Sequence, residues 1–264
     1  MNHIYCKGNQ YKISKNCFQL QFGAKQDKKL TGIFPTQSKL NVTSGEAPVV
    51  EGSLALKTSN IIYLAIKVPT DSLQPNYRQL ATVFAQAENA RKKVASQITI
   101  NTPDAYLNTL GGVISTAADG IWSGETWLHG AVGWRMPLSG WRAAYAGDAL
   151  GWHDRARRHF DAYADSQVKD VTPTLPHPAQ DSALNLARAA KVWGTPMYSI
   201  GYICRNPHEN NKMHHYDMNL CYIDELLWHL KWTGDRDYAR KIWPTIASSI
   251  AWEKRNFDPD NDGL

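Results

Sequence analysis

The stretch Tyr222-Ile-Asp-Glu-Leu-Leu-Trp-His-Leu-Lys-Trp-Thr-Gly-Asp-Arg-Asp-Tyr-Ala-Arg-Lys-Ile-Trp-Pro244 carries the architecture of the chain's second half. Leu220, Ile223, Leu227 and Leu230 recur at helical spacing, which predicts a helix with those four inward. Thr233-Gly234 stops it, and Asp235 can cap a return helix that sets Tyr238, Ile242, Ile246 and Ile250 on one face. Two helices joined by so short a turn must lie antiparallel, as an αα-hairpin.

The same pattern extends upstream. Asp104 can cap a helix to about Ala118 with Leu107, Leu110 and Ile114 inward. The stretch 121–146 is loop-rich, and Gly147-Asp148 opens a helix to about Gln167. A proline-bearing loop (170–178) and a short helix from Asp181 to Trp193 follow, then a long loop, 194–216, ending in Met213-His-His-Tyr-Asp217. Residues 71–103 read as a linker carrying a mostly polar helix, Asn76–Gln97, with Leu80, Val83, Phe84 and Ala87 at helical spacing. Residues 1–70 read as β: Tyr11, Ile13, Phe18, Leu20 and Phe22 sit in short alternating runs, and 49–56 and 60–68 are rich in strand formers. So few strands suggest the end of a larger β domain.

Between Trp122 and Asp154 the composition changes. Five of the ten tryptophans (Trp122, Trp127, Trp134, Trp141 and Trp152) fall here, interleaved with Glu125, His129, Arg135, Arg142, Asp148, His153 and Asp154. Indole gives a flat apolar face and one N–H donor. Such faces beside carboxylates, arginines and histidines suit a sugar ring, whose glycosidic oxygen a carboxylic acid can protonate. The plainer alternative is an aromatic helix contact with its charges in water.

Charge excludes other partners. The net charge of +5 is contributed entirely by residues 1–60, where eight lysines face three acids. The remainder balances, which argues against a nucleic-acid partner. No run approaches the roughly 18 apolar residues of a membrane helix. Met1-Asn-His-Ile-Tyr-Cys-Lys lacks the apolar core of a signal peptide. Cys6, Cys17, Cys204 and Cys221 have no metal-ligand spacing; Cys6 and Cys17 can pair in an oxidising compartment, or all remain buried thiols. No G-x-G-x-x-G, P-loop or nucleophile elbow occurs, so no cofactor is expected.

The hairpin Tyr222–Pro244, with its Thr-Gly-Asp turn and Trp-Pro, and the segment Ala251-Trp-Glu-Lys-Arg-Asn-Phe-Asp-Pro-Asp-Asn-Asp-Gly-Leu264 resemble the six-hairpin glycosidases. Trp141–Gln167 is similar to an uncharacterised branch of that superfamily from gut Bacteroidetes. The likeness covers roughly residues 104–264. It implies a mainly α fold: a partial (α/α)6 toroid of helical hairpins at 104–264, preceded by a β-sandwich remnant at 1–70 and a linker helix at 71–103. It implies hydrolysis of an oligo- or polysaccharide by general acid/base catalysis, and a periplasmic or secreted location. Residues 104–264 would supply about half a barrel, so the chain is expected to be a fragment, inactive alone, with its general base beyond residue 264. The α-L-rhamnosidases of that superfamily carry Asp-Glu-Arg-x-Gly-Trp-x-Gly-Asp-Ala with the glutamate as acid. Here Ala146-Gly-Asp-Ala149 matches its end, but Trp141 stands in place of the glutamate and Gly140 in place of the aspartate. Either Asp148 or Glu125 then supplies the proton, or the specificity differs.

The expected catalytic residues are therefore Asp148 first and Glu125 second, with the apolar faces of Tyr145 and Trp152 raising the Asp148 pKa. Trp122, Trp127, Trp141, Arg142, Trp152, His153, Asp154, His214, His215 and Asp217 are expected to bind substrate. Structural alternatives stand beside several: an N-cap for Asp148, an ion pair with Arg157 or Arg158 for Asp154, capping for Asp217, and structural roles for Asp224 and for Glu225, which can pair with His229. Asp258-Pro-Asp-Asn-Asp-Gly263 matches the start of a calcium loop, but a polar turn accounts for it and no metal is expected. Two other functions compete: a polysaccharide lyase using His214, His215, Tyr216, Asn219 and Arg142 on a uronate, and a non-catalytic carbohydrate-binding protein.

Overall fold

The structure, a computed structural model, describes residues 7–23, 28–45, 48–56, 61–68, 76–130, 132–140, 143–173, 192–214, 216–258 and 260–263. The chain divides into two units, Met1–Lys92 and Lys93–Leu264. The expected helix Asp181–Trp193 falls mostly outside the described residues.

In the first unit the alternating runs form the hairpin of β1 (Gln10–Ser14) and β2 (Cys17–Gln21). Then come β3 (Lys29–Ile33), β4 (Lys39–Val42), β5 (Val50–Ser53) and β6 (Ala65–Lys67). One antiparallel sheet has the order β1-β2-β3-β6, and β4 pairs with β5 in a second. Phe18, Leu20 and Ile33 are its buried apolar side chains. Phe18 lies opposite Gly32, where a Cβ would meet its ring at 2.1 Å, so the glycine makes room for the phenyl. The two long strand runs shorten to β5 and β6. The polar linker helix appears as a 3-10 turn, Tyr77–Gln79, leading into α1 (Leu80–Ala95).

The second unit holds α2 (Ala105–Gly120), α3 (Ala143–Ala149), α4 (His153–Ala164), α5 (Asp217–Thr233) and α6 (Arg236–Phe257). Caps fall where the sequence placed them. Asp104 accepts from Tyr106 N–H at 2.8 Å, and Asp235 from Tyr238 N–H at 2.9 Å. Gly234, at φ 63°, ends α5 in the left-handed conformation.

The expectation of a mainly α chain built on a partial (α/α)6 toroid is overturned. Among the described residues about 44% are helical and 15% lie in strands or bridges, with two antiparallel sheets, so the class is mixed α and β, and no toroid is formed among them. The reason lies in the loops. Trp127, Leu128, Leu138, Met197, Tyr198, Tyr202, Ile203 and Cys204 come from non-helical segments and are all buried. The helices therefore close on loop-borne side chains: α5 packs on α3, α4 and α6, not only on its hairpin partner.

Three helix readings change for the same reason. The inward residues of α2 are Gly111, Ser115 and Ala118, while Leu107, Leu110 and Ile114 stay 42–46% exposed. At Gly111 a Cβ would lie 2.5 Å from the Ile98 carbonyl oxygen, and Trp127 Nε1–H donates to the Ala118 carbonyl at 3.1 Å. Close backbone approach selects small residues, not the large ones whose spacing is easiest to see. In α5 the inward face is Met218, Asn219, Tyr222, Ile223, Glu225, Leu226 and His229, while Leu220 and Leu227 are exposed. The helix expected to open at Gly147-Asp148 instead breaks there. Gly151, at φ 71°, donates its N–H to the Asp148 carbonyl (2.9 Å) and Trp152 donates to the Gly147 carbonyl (2.8 Å). This paired closure is a Schellman cap, so Asp148 sits in the last turn of α3 and is not an N-cap. Cys17, Cys204 and Cys221 are free thiols, and Cys6 lies outside the described residues.

His159 shows how the core handles polar groups. Its Nδ1 accepts from Trp127 N–H at 3.2 Å, and Nε2 lies 3.1 Å from the Ser139 carbonyl, so the ring is the neutral tautomer with Nε2 protonated. Burial pushes its pKa from 6.5 down to about 4. The unfolded chain therefore takes up this proton first. The stabilisation is complete above pH 6.5 and is lost as pH falls toward about 4. Thermal melts of wild type and His159→Gln between pH 7.5 and 4.5 should show a clearly shallower pH dependence in the variant; equal slopes would refute the assignment.

Candidate functional site

Two close approaches position the site. At Gly147 a Cβ would come within 2.4 Å of the Trp127 ring, so α3 lies tight on that indole. At Gly140 a Cβ would come within 2.5 Å of Tyr222 N, which brings the segment before α3 against α5. Asp148 thereby meets α5, whose Glu225, Trp228, His229 and Trp232 fall at i, i+3, i+4 and i+7 on one face.

Asp148 is 8% exposed. Its Oδ1 and Oδ2 each lie 2.9 Å from His229 Nδ1, and Oδ1 lies 2.7 Å from His153 Nδ1. An ionised carboxylate only accepts, so both imidazoles donate through Nδ1. His229 is fully buried, edge-on to the Tyr238 ring, and among the described residues its Nε2 has no hydrogen-bond partner. Burial is the largest single influence on the Asp148 pKa and raises it. The hydrogen bonds from His229 and His153, with their charges, together outweigh it and hold the carboxyl below its usual value. This corrects the expectation of a raised pKa for Asp148.

A cavity of about 180 Å³ opens beside this carboxylate, lined by Ala144, Tyr145, Asp148, Glu225, Trp228 and Trp232. Glu225 is 2% exposed, whereas Trp228 and Trp232 are half open to solvent. Tyr145 donates its hydroxyl to Asp224; burial first, then that bond, raises its pKa, so it stays a phenol. The volume is below the roughly 300–1,000 Å³ of pockets that hold drug-sized ligands, and it suits one ring-sized group.

The remaining candidates are elsewhere. Glu125 is exposed and lies 2.8 Å from His208 Nε2, whose Nδ1 is 3.1 Å from Asp165. The bond to Glu125, opposed by a smaller effect of burial and supported by the bond to Asp165, raises the His208 pKa. Glu125 is thus tied into a surface ion pair and does not line the Asp148 cavity. Trp127 is core, 1% exposed. Trp122 packs edge-on against Trp127 at 4.8 Å, and Arg155 sits over both Trp122 (5.4 Å) and Trp152 (4.3 Å) while pairing with Asp119. These indoles therefore brace the fold. Asp154 is exposed in the first turn of α4, and Arg157, a suggested partner, bonds Asp235 at 2.6 Å instead. His214 is fixed through its backbone, by Tyr202 Oη at 2.7 Å and Tyr198 Oη at 3.0 Å. Asp217 opens α5. Asn219 is buried, its side chain accepting from Ile203 N–H (2.5 Å) and donating to the Ile203 carbonyl (3.2 Å), which removes it from any role on a uronate. Trp141, Arg142 and His215 lie outside the described residues.

Of the expected site residues, the structure therefore gathers Asp148 and His153 and adds Glu225, Trp228, His229 and Trp232. The added set had a signal in the sequence: one carboxylate, two indoles and an imidazole sharing a single helical stripe. The carboxylates of Asp258, Asp260 and Asp262 lie within 4.8 Å of one another on a turn closed by Gly263 N–H donating to Asp258 at 3.1 Å.

Asp148→Asn keeps the shape but places an amide where two imidazole N–H groups need an acceptor. It should destabilise the second unit by about 1–3 kcal/mol. The native contribution of Asp148 is present above pH 3.8 and lost as pH falls below it, because the folded-state pKa is the lower one. Urea denaturation checks this; an unchanged midpoint would mean the histidines do not depend on the charge.

Comparison with known proteins touches the other unit. Residues 1–88 match the profile of a domain of unknown function, DUF4450, which covers the β-rich unit and ends inside α1. No curated protein and no solved structure matches the chain.

Proposed function

We propose that this protein is a glycoside hydrolase acting on an oligo- or polysaccharide, with Asp148 and Glu225 as its carboxylate pair. The observation that carries the reading is the cavity itself: two carboxylates, each less than a tenth exposed, beside the half-open indoles of Trp228 and Trp232. Glycoside hydrolysis uses two carboxyl groups with different tasks, one giving a proton to the leaving oxygen and one remaining ionised. Two histidine donors keep Asp148 ionised, which fits it to activate water or to stabilise positive charge on the sugar ring. Glu225 takes the role of proton donor. Trp228 and Trp232 offer apolar faces on which a sugar ring stacks. The lyase alternative loses support, because Asn219 is committed to the backbone at Ile203.

The test is hydrolysis of a panel of plant and host oligosaccharides, followed by release of reducing ends. Glu225→Gln and Asp148→Asn should each lower kcat by about 100-fold or more while substrate still binds. Glu125→Gln, on the exposed loop, should leave turnover within about twofold, whereas surface electrostatics alone would act through all three. Sugar binding without turnover in the wild type would sink the hydrolase reading and leave a carbohydrate-binding protein.

A further inference from the structure

The net positive charge of the chain is contributed by residues 1–60, and strand register gathers part of it on one sheet face. In the sheet β1-β2-β3-β6, Lys12 stands opposite Gln19, Gln19 opposite Thr31, and Thr31 opposite Lys67. The neighbouring row on the same face is Gln10, Gln21 and Lys29. The opposite face carries Phe18 and Leu20, which are buried. Gln10, Lys12, Gln19 and Lys29 are all exposed.

No acid stands on these four strands. Glu51, the acid among the described residues before α1, belongs to β5 in the other sheet. An acid opposite a lysine would stabilise a sheet, yet each lysine of this face stands opposite an amide or a hydroxyl. Among the described residues Lys12 and Lys29 form no ion pair, so their charges are available to a partner. Strand spacing and rise put their Cα atoms roughly 12 Å apart, which suits charges repeated along a chain better than one small anion. The amides and the hydroxyl between them donate and accept, as sugar hydroxyls require. No aromatic ring lies in these rows for a base to stack on. Residues 1–60 also hold no basic run longer than Lys28-Lys29, unlike a heparin or nucleic-acid patch.

We propose that this lysine-bearing face docks a polyuronate, a polysaccharide whose sugar rings carry carboxylates. Lys12 and Lys29 meet the carboxylates, and Gln10, Gln19 and Thr31 meet the hydroxyls. The inference concerns the first unit alone and does not rest on the hydrolase reading.

Isothermal titration of the full chain at low ionic strength with unesterified oligogalacturonate, its methyl ester and heparin tests this. Oligogalacturonate should bind, weaken as salt is added, and exceed its neutral methyl ester by about tenfold. Lys12→Gln and Lys29→Gln, at exposed positions where folding is not at stake, should each lower its affinity about threefold, and the double variant about tenfold. Lys39→Gln, on β4 of the other sheet, should leave the affinity unchanged. No binding of oligogalacturonate, equal binding of the methyl ester, or an unaltered affinity in the double variant would overturn the proposal. An equal loss in Lys39→Gln would show attraction by net charge alone and would overturn it as well. So would tighter binding of heparin, which would mean that the face answers to charge density and not to the uronate.

Discussion

The bond between Asp148 and His229 is the constraint on which the second unit depends. It joins the last turn of α3 to the middle of α5 across a nearly dry contact. An imidazole with no solvent exposure needs an acceptor for its N–H, and a carboxylate that is 8% exposed needs donors. Each satisfies the other. The arrangement explains why a short helix of seven residues, Ala143–Ala149, is held so firmly: the Schellman closure at Gly151 stops it, and α5 receives its last acidic side chain.

Polar burial of this kind recurs through the unit. Asn219 latches Ile203 from both sides, Gln167 reaches the Thr245 carbonyl and Ser249, and His159 bridges Trp127 to Ser139. In each case a buried polar side chain ties one segment to a neighbouring loop or helix. Irregular segments at 121–130, 132–140 and 192–214 thereby send side chains into the core.

This organisation also separates bracing tryptophans from those open to a ligand. Trp122, Trp127 and Trp152 are consumed by contacts with one another, with Arg155 and with the α2 backbone. Trp228 and Trp232 are half exposed and border acids. Of the described tryptophans between 122 and 154, Trp127 is core, Trp122 and Trp152 are partly buried against it or Arg155, and Trp134 is exposed. The density of tryptophan there does not mark where a ring could dock.

The sequence by itself determined what local chemistry controls. The Asp104 and Asp235 caps, the Gly234 stop, the α5–α6 hairpin and the alternating β1–β2 hairpin were legible because each depends on residues within a turn or two of chain. Tertiary structure decided the rest. It chose Gly111, Ser115 and Ala118 as the packing stripe of α2, because backbone contact needs small side chains. It turned Glu125 to the surface beside His208 and brought Glu225, 77 positions after Asp148, into the same cavity. It lowered the Asp148 pKa through two histidines, one of them distant in sequence. Burial and charge pairing are properties of what comes together in space, and spacing along the chain does not encode them.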